Sequence, residues 1–293
     1  MFKRLIFFLF PLLLTAEGEI SSVQEFYSYI TYAFQNQKWE EVKENCDVLL
    51  GYYCSTPFAK DACYYQGVAY YYLEDYETAN EKLSDYLKDT NIPKFLQEAM
   101  YYKYLIAEAF RNGGKKHLLP WQWAPKWLSA REDAAAIYEE IISTMPYHDL
   151  GAKALFGKAK IQAYFDDFRP AVETLQLLIR RFPTHELAIE SFIEINQIYL
   201  TQCQVKSLDP SLLDLAEINL RKFHEAFPGE ERWEEAKRAL YEMEEVFAGG
   251  LLETGEFYRR TKKKKAAEIY FSKVISKFPE SKAAESAKRY LGS

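Results

Sequence analysis

Residues 67–87 read GVAYYYLEDYETANEKLSDYL, and the same pattern returns twice further along the chain. Residues 159–183 read AKIQAYFDDFRPAVETLQLLIRRFP, and residues 255–279 read GEFYRRTKKKKAAEIYFSKVISKFP. Each copy has a small residue, a polar or aromatic stretch, and then an aromatic or long residue three positions before an alanine. Small residues on two neighbouring helices let them pack closely. The Phe-Pro that closes the last two copies ends a helix, because proline cannot donate to the preceding turn.

This pattern resembles the tetratricopeptide repeat, a pair of antiparallel helices in about 34 residues. One pair cannot bury its apolar face alone, so neighbouring pairs must stack. We therefore predict an all-α fold, a right-handed α-solenoid of five to six tetratricopeptide-like helix pairs. The predicted pairs span residues 23–57, 60–93, 96–146, 152–183, 187–228 and 248–279, with an extra helix at 231–247 and a terminal helix at 281–291.

The first residues have the layout of a secretory signal peptide. Lys3 and Arg4 precede the apolar run from Leu5 to Leu14, and small residues follow at Ala16 and Gly18. The apolar run is about half as long as a membrane-spanning helix needs to be. We expect a signal peptide at 1–18, three N-terminal repeats at 19–150 with an aromatic insertion at 114–128, and the C-terminal repeats with the extra and terminal helices at 151–293.

Composition argues against several functional classes. The formal net charge is −6 at pH 7, which disfavours nucleic acid as a partner because its phosphates are bound by Lys and Arg. The chain contains no GxSxG, Walker or GxGxxG motif, and its four histidines lack the HxxxH and HExxH spacings of metal sites. We predict a protein that is not an enzyme and has no catalytic residues, no metal site and no cofactor.

The four cysteines leave the redox state open. Cys46, Cys54 and Cys63 lie close together in the sequence, and Cys203 lies far from them. An exported protein can oxidise such a group to one local disulfide, whose pairing the sequence does not determine.

Across residues 23–291 the chain resembles the BamD family, the tetratricopeptide-repeat component of the outer-membrane β-barrel assembly machinery. The order of four features carries the resemblance: an export signal, a second repeat with AYYYLEDY followed by SDYL, a third repeat with a long loop between its helices, and the C-terminal stretch LLETGEFYRRTKKKKAAEIYFSKVISKFPESKAAESAKRYL. The chain departs from the family in two places. Glu17 follows Leu14-Thr15-Ala16 where the family has a lipid-bearing cysteine, and residues 203–214 form an insertion.

The resemblance implies a non-enzymatic periplasmic scaffold that is peripherally associated with the outer membrane. It implies that repeats five and six hold a BamA-type assembly protein, and that repeats one to three meet unfolded outer-membrane protein peptides. Without the lipid-bearing cysteine, attachment at the membrane would need another contact. The alternative is a different exported repeat scaffold, one that serves cell-envelope constriction or peptidoglycan-associated complexes.

Aromatic residues of the N-terminal repeats are the candidate peptide site. Tyrosine combines apolar area with a hydroxyl partner, so tyrosines that do not face the core can line a groove for an extended peptide. The insertion places tryptophans beside that groove, as a flap packed on the repeats or as a grip on the peptide. The candidate residues are Tyr70, Tyr71, Tyr102, Trp121, Trp123 and Trp127.

A basic run in the last repeat is the candidate partner site. It falls in the predicted short turn between two helices, where it can contact a partner protein, contact anionic lipid or remain solvated. The candidate residues are Tyr258, Arg259, Arg260, Lys262, Lys263 and Lys264.

Overall fold

The structure, a computed structural model, describes residues 16–88, 93–117, 126–205 and 209–292, and the side chains within these ranges except those of 16–22, 115–117 and 126–128. Thirteen helices make up this part of the chain. They are α1 (Ala16–Gln35), α2 (Trp39–Tyr52), α3 (Pro57–Tyr72), α4 (Tyr76–Leu87), α5 (Leu96–Arg111), α6 (Arg131–Thr144), α7 (Asp149–Tyr164), α8 (Phe168–Arg181), α9 (Glu186–Val205), α10 (Ser211–Ala226), α11 (Trp233–Arg260), α12 (Lys264–Lys277) and α13 (Lys282–Leu291). Two short strands, β1 (Lys115–His117) and β2 (Lys126–Ser129), pair antiparallel.

The chain divides into two compact units, Met1–Ala130 and Arg131–Ser293. In the first unit α1 to α5 pack in chain order, each helix against the next. In the second, α6 to α10 do the same, α9 also packs on α11, and α11, α12 and α13 pack on one another. The expected all-α fold of stacked helix pairs is confirmed. The domain division expected after residue 150 stays a prediction, and the signal peptide lies outside the described residues apart from 16–18.

One turn geometry joins the two helices of four pairs. Its middle residue adopts a left-handed backbone with φ near +60°, at Gln37, Glu74, Asp166 and Lys262. The second helix begins two residues later, and the carbonyl of the intervening residue accepts the amide of the fourth residue of that helix. The same backbone therefore recurs on four different sequences.

Close packing at the small residues explains the repeated pattern. A Cβ atom on Gly67 would lie 2.8 Å from Cγ of Leu83, and one on Gly255 would lie 2.6 Å from Cε1 of Phe271. The repeated alanine of the second helix is buried in all three copies, at Ala79, Ala171 and Ala267. These positions set the distance between the two helices of each pair.

The extra helix predicted at 231–247 is not separate from the last repeat. Residues Trp233–Arg260 form one helix, α11, which continues through Gly249 and Gly250. Each internal glycine costs about 1 kcal/mol relative to alanine. Packing outweighs that cost, because α9 and α12 both pack against α11, which also buries Phe247 and Ala248.

The insertion in the third repeat begins at a turn that has the hydrogen bonds of the common turn but a different φ and no second helix directly after it. After α5, the amides of Asn112, Gly113 and Gly114 bond back into the helix, and Gly113 has φ +106°. Strand β1 then leaves the turn and β2 returns, and the amide of Ala130 donates to the carbonyl of Gly114 at 3.3 Å. The expected aromatic loop is therefore closed at its base by a two-stranded hairpin, which the sequence analysis did not predict.

Candidate functional site

Six aromatic rings of the first unit form a continuous surface, which we call the ring cluster. Trp39 and Tyr76 are the first residues of α2 and α4, Tyr71 and Tyr72 end α3, and Tyr101 and Tyr102 lie in α5. The short turns bring the start of one helix beside the end of its partner. Rings from four helices thereby meet at one edge of the unit.

Tyr72 lies at the centre of the ring cluster. Its ring stacks on Trp39 with 4.1 Å between centroids and 6° between planes. Its hydroxyl lies 3.3 Å from the hydroxyl of Tyr102, whose ring is 5.3 Å from that of Tyr71. Tyr71 also contacts Tyr76 at 5.7 Å. Such offset and edge contacts are the preferred arrangements of aromatic pairs.

The ring cluster is open to solvent although its members pack on one another. Tyr72 is 47% exposed and Tyr101 is 48% exposed. Burial raises the pKa of Tyr71, and burial together with the hydrogen bond to Tyr72 raises the pKa of Tyr102. These hydroxyls therefore keep their protons at neutral pH and can donate to a bound carbonyl.

The predicted peptide-site residues do not all meet. Tyr71 and Tyr102 are in contact, but Tyr70 is half-buried and its pKa is raised by burial and by Asp47. Tyr70 makes no ring contact with the described residues. Trp121 and Trp123 lie outside the described residues, and Trp127 is placed in β2 with its side chain undescribed.

Four members of the ring cluster were not predicted from the sequence: Trp39, Tyr72, Tyr76 and Tyr101. Three of them directly border a turn of the common kind, where the end of one helix meets the start of the next. An aromatic residue immediately before or after such a turn is the signal that could have found them.

Eight cations gather at one end of the helices α11, α12 and α13, which we call the basic end. The end of α11, the turn and the start of α12 supply six, and the end of α13 adds two. Contacts between α11 and α13 join the two groups: the Arg259 guanidinium lies 4.3 Å from the Tyr290 ring, and the Tyr290 hydroxyl donates to Glu256 at 2.8 Å. The eight are Arg259, Arg260, Lys262, Lys263, Lys264, Lys265, Lys288 and Arg289.

The predicted partner-site residues all belong to this region. Tyr258 is half-buried, stacks on Tyr270 at 5.4 Å and lies 5.8 Å from the Lys263 ammonium. The six cations from Arg259 to Lys265 are exposed, and none of them forms an ion pair with a described residue. The region thus offers positive charge that has no carboxylate partner among the described residues, presented at the ends of packed helices.

The described part of the chain gives little support for a metal site, a reactive cysteine or a membrane-spanning helix. No group of three His, Cys, Asp or Glu side chains there could hold a metal ion. The four cysteines are unpaired thiols in this structure, and Cys46 and Cys203 are buried. Burial raises the pKa of Cys203 to about 11, which keeps that thiol protonated and unreactive at neutral pH. None of the described helices is both long enough and apolar enough to cross a bilayer.

The tetratricopeptide-repeat family profile matches the chain at residues 153–185 and 250–281. The first match covers most of α7 and all of α8, and the second covers the end of α11 together with α12. No curated protein matches the chain.

The solved structures that are similar to the chain include the following three. A tetratricopeptide-repeat protein from Parabacteroides merdae is 13% identical with TM-score 0.45, and the match covers 93% of this chain and 98% of that one. The C-terminal part of a tetratricopeptide-repeat protein from Cytophaga hutchinsonii is 16% identical with TM-score 0.40, covering 89% and 98%. The MamA RS-1 ArsTM double mutant is 13% identical with TM-score 0.41, covering 70% and 93%.

The profile matches identify tetratricopeptide repeats at residues 153–185 and 250–281, and such repeats are scaffolds for protein–protein interaction. A surface of this kind binds a partner through side chains presented on stacked helices. The ring cluster and the basic end are the two places where the described residues offer such a surface.

Proposed function

We propose that the protein is a non-enzymatic scaffold whose ring cluster binds an extended peptide. The carrying observation is the stacked and half-exposed set of Trp39, Tyr71, Tyr72, Tyr101 and Tyr102 on the first unit. Tyrosine and tryptophan dominate the binding energy of protein interfaces, and rings that are already packed lose little conformational freedom on binding. The peptide would place apolar or aromatic side chains on the rings, and its carbonyls would accept from the tyrosine hydroxyls.

The resemblance to the BamD family supplies the finer form of this proposal. The peptide would then come from unfolded outer-membrane proteins, and a BamA-type assembly protein would bind the C-terminal repeats with Tyr258, Arg259, Arg260, Lys262, Lys263 and Lys264 at the contact. The protein would work in the periplasm as a peripheral component of the outer membrane. The support is the order of sequence features together with the repeats in the second unit.

Peptide binding is tested by fluorescence anisotropy with labelled aromatic-ended peptides from outer-membrane proteins. We expect Tyr71→Ala with Tyr102→Ala to weaken binding by roughly a hundredfold, because each interface tyrosine contributes about 1–2 kcal/mol. Tyr52→Ala is the matched control, since Tyr52 is 81% exposed in the same unit and outside the ring cluster. Equal affinities of the two variants would reject the ring cluster as the site.

The finer proposal is tested by affinity capture from a bacterial envelope extract with the chain that lacks residues 1–18. Recovery of a BamA-type protein supports a role in barrel assembly, and its loss with the variant Lys262→Gln, Lys263→Gln, Lys264→Gln would place the contact. Reproducible recovery of division or cell-wall proteins in its place would support the alternative exported scaffold and reject barrel assembly.

A further inference from the structure

We infer that the basic end attaches the protein to an anionic lipid bilayer. This goes beyond the proposed peptide binding, which involves the other unit and can fail without affecting it. It is an alternative to the BamA-type contact at the same cations, and vesicle binding by the isolated chain distinguishes the two. The inference rests on the topology of α11, α12 and α13. Because these helices run alternately up and down, the end of α13 returns to the turn between α11 and α12 and brings Lys288 and Arg289 beside the sequence-adjacent cations.

The second unit is strongly polarised in charge along the sequence. Residues 255–293 hold 11 Lys and Arg against 4 Asp and Glu, a net charge of +7. Residues 131–254 hold 13 Lys and Arg against 23 Asp and Glu, a net charge of −10. A negatively charged surface would attract residues 255–293 and repel residues 131–254. It would therefore orient the unit with the basic end towards it.

The cations of the basic end have no carboxylate partner among the described residues. Elsewhere in the chain, Lys158 pairs with Glu139, Lys160 with Glu194 and Arg232 with Glu190. All eight cations of the basic end lack such a pair. Their charge is therefore available to an external anion.

The start of α12 places positive charge where the helix itself disfavours it. Lys264 and Lys265 are its first two residues, and its first turn contains no acidic residue. The amino end of a helix carries partial positive charge, so lysines there repel it. An anionic surface near these lysines would relieve this repulsion. A role in binding such a surface therefore explains the two lysines better than a solvated turn does.

Two features favour lipid over an acidic protein as the partner. Five of the eight cations are lysines, whose flexible ammonium groups suit a diffuse layer of headgroups better than the bidentate recognition of carboxylates. Exposed apolar side chains lie at the same end, Phe257 at 54% and Leu291 at 42% exposure. Apolar side chains flanked by cations are typical of surfaces that enter the boundary between headgroups and acyl chains.

The test is co-sedimentation of the chain with vesicles of phosphatidylcholine alone or mixed with phosphatidylglycerol. We expect binding to the mixed vesicles only, and loss of binding in 0.5 M NaCl. Each cation near an anionic bilayer strengthens binding roughly fivefold, so Lys262→Gln, Lys264→Gln, Lys265→Gln should weaken it about a hundredfold. The matched control is Lys273→Gln, Lys277→Gln, Lys282→Gln, which removes the same charge from the opposite end of α12 and α13 and should change binding less than about fivefold.

The inference is overturned by no preference for the anionic vesicles, by equal loss in both triple variants, or by competition from millimolar inorganic phosphate. The second would mean attraction by net charge alone, and the third would mean an isolated phosphate site. Capture of a protein partner without vesicle binding would likewise reject it. Unfolding cannot mimic the expected result, because removing Lys264 and Lys265 relieves the dipole conflict of α12 and circular dichroism can verify the fold.

A second measurement, tryptophan fluorescence, tests which part of the protein contacts the bilayer. Phe257→Trp should show a blue shift of its tryptophan emission, relative to the parent chain, when anionic vesicles are added. Tyr241→Trp is the control, because Tyr241 is 51% exposed on the same helix but lies more than four turns earlier. An equal shift at both positions, or none at Phe257, would contradict insertion at the basic end.

Discussion

The turn between α3 and α4 and the turn between α11 and α12 share one backbone conformation but present chemically different surfaces. Glu74 and Lys262 hold the left-handed position with φ of 61° and 60°. Gly67 and Gly255 stand at matching places five residues before the end of the first helix, where their second helices leave no room for a Cβ atom.

We call the shared turn conformation and the close helix packing at Gly67 and Gly255 the common frame. The surface residues around it differ in kind. The places held by Tyr71 and Tyr72 at the end of α3 are held by Arg259 and Arg260 at the end of α11. The first residue of the second helix is Tyr76 in one pair and Lys264 in the other. A few buried positions therefore fix the backbone, and the residues beside the turn are free to take up aromatic or cationic chemistry.

The largest effect should follow from breaking the common frame. We expect Gly67→Val and Gly255→Val each to lower the free energy of unfolding by about 3 kcal/mol, because the new side chain meets Leu83 or Phe271 at less than van der Waals distance. Urea denaturation monitored by circular dichroism measures the change.

The control for this prediction is Gly51→Ala in α2. A Cβ atom there meets nothing within 4 Å, so alanine should stabilise the helix by about 0.5–1 kcal/mol. If both valine variants kept the parent stability, the glycines would not set the helix spacing and the shared frame would need another cause.

An intermediate effect should follow at the first residue of the second helix. Trp39 stacks on Tyr72 and makes an edge contact with Phe34 at 5.6 Å. We expect Trp39→Ala to lower the free energy of unfolding by about 1–2 kcal/mol, because a half-buried ring and its aromatic contacts are lost.

Lys264→Ala is the matched variant in the last pair. Lys264 is exposed and unpaired at the start of α12, so its loss should leave stability within about 0.5 kcal/mol of the parent. Similar effects of the two substitutions would mean that the aromatic surface contributes no more to stability than the cationic one.

The sequence predicts the frame better than it predicts the surfaces. Gly67, Ala79 and the proline ends gave the pairs, because each acts on its own helix or its nearest neighbour. The position of Tyr72 and Trp39 beside turns is visible in the sequence, but their contact joins two helices, so the sequence does not show that these two rings meet. Arg289 joins the basic end only because α13 returns. The sequence predicts two helices, one at 231–247 and one at the start of the 248–279 pair, because the packing of α9 against the single helix α11 is not visible in it.

A smaller effect should distinguish the two ends of α12. Lys264→Glu with Lys265→Glu should raise the free energy of unfolding by about 1 kcal/mol at low salt, since carboxylates favour the amino end of a helix. Lys277→Glu in its last turn should lower it by about 0.5 kcal/mol for the converse reason. Thermal denaturation in 10 mM and 500 mM NaCl would check both, and effects of equal sign or without salt dependence would contradict the dipole argument.

The smallest effect tests whether the two turns are energetically the same. A non-glycine residue in the left-handed region costs about 1–2 kcal/mol, and glycine recovers this while losing about 0.5–1 kcal/mol of chain entropy. Glu74→Gly and Lys262→Gly should therefore each stabilise by about 0.5 kcal/mol. Gly113, with φ +106°, already occupies the corresponding place after α5.

Because the backbone is shared, the two gains should agree within about 0.3 kcal/mol in urea denaturation at 0.5 M NaCl, where surface charge is screened. A larger difference would mean that the rings or the cations beside the turn alter its backbone energy, and that frame and surface are not independent.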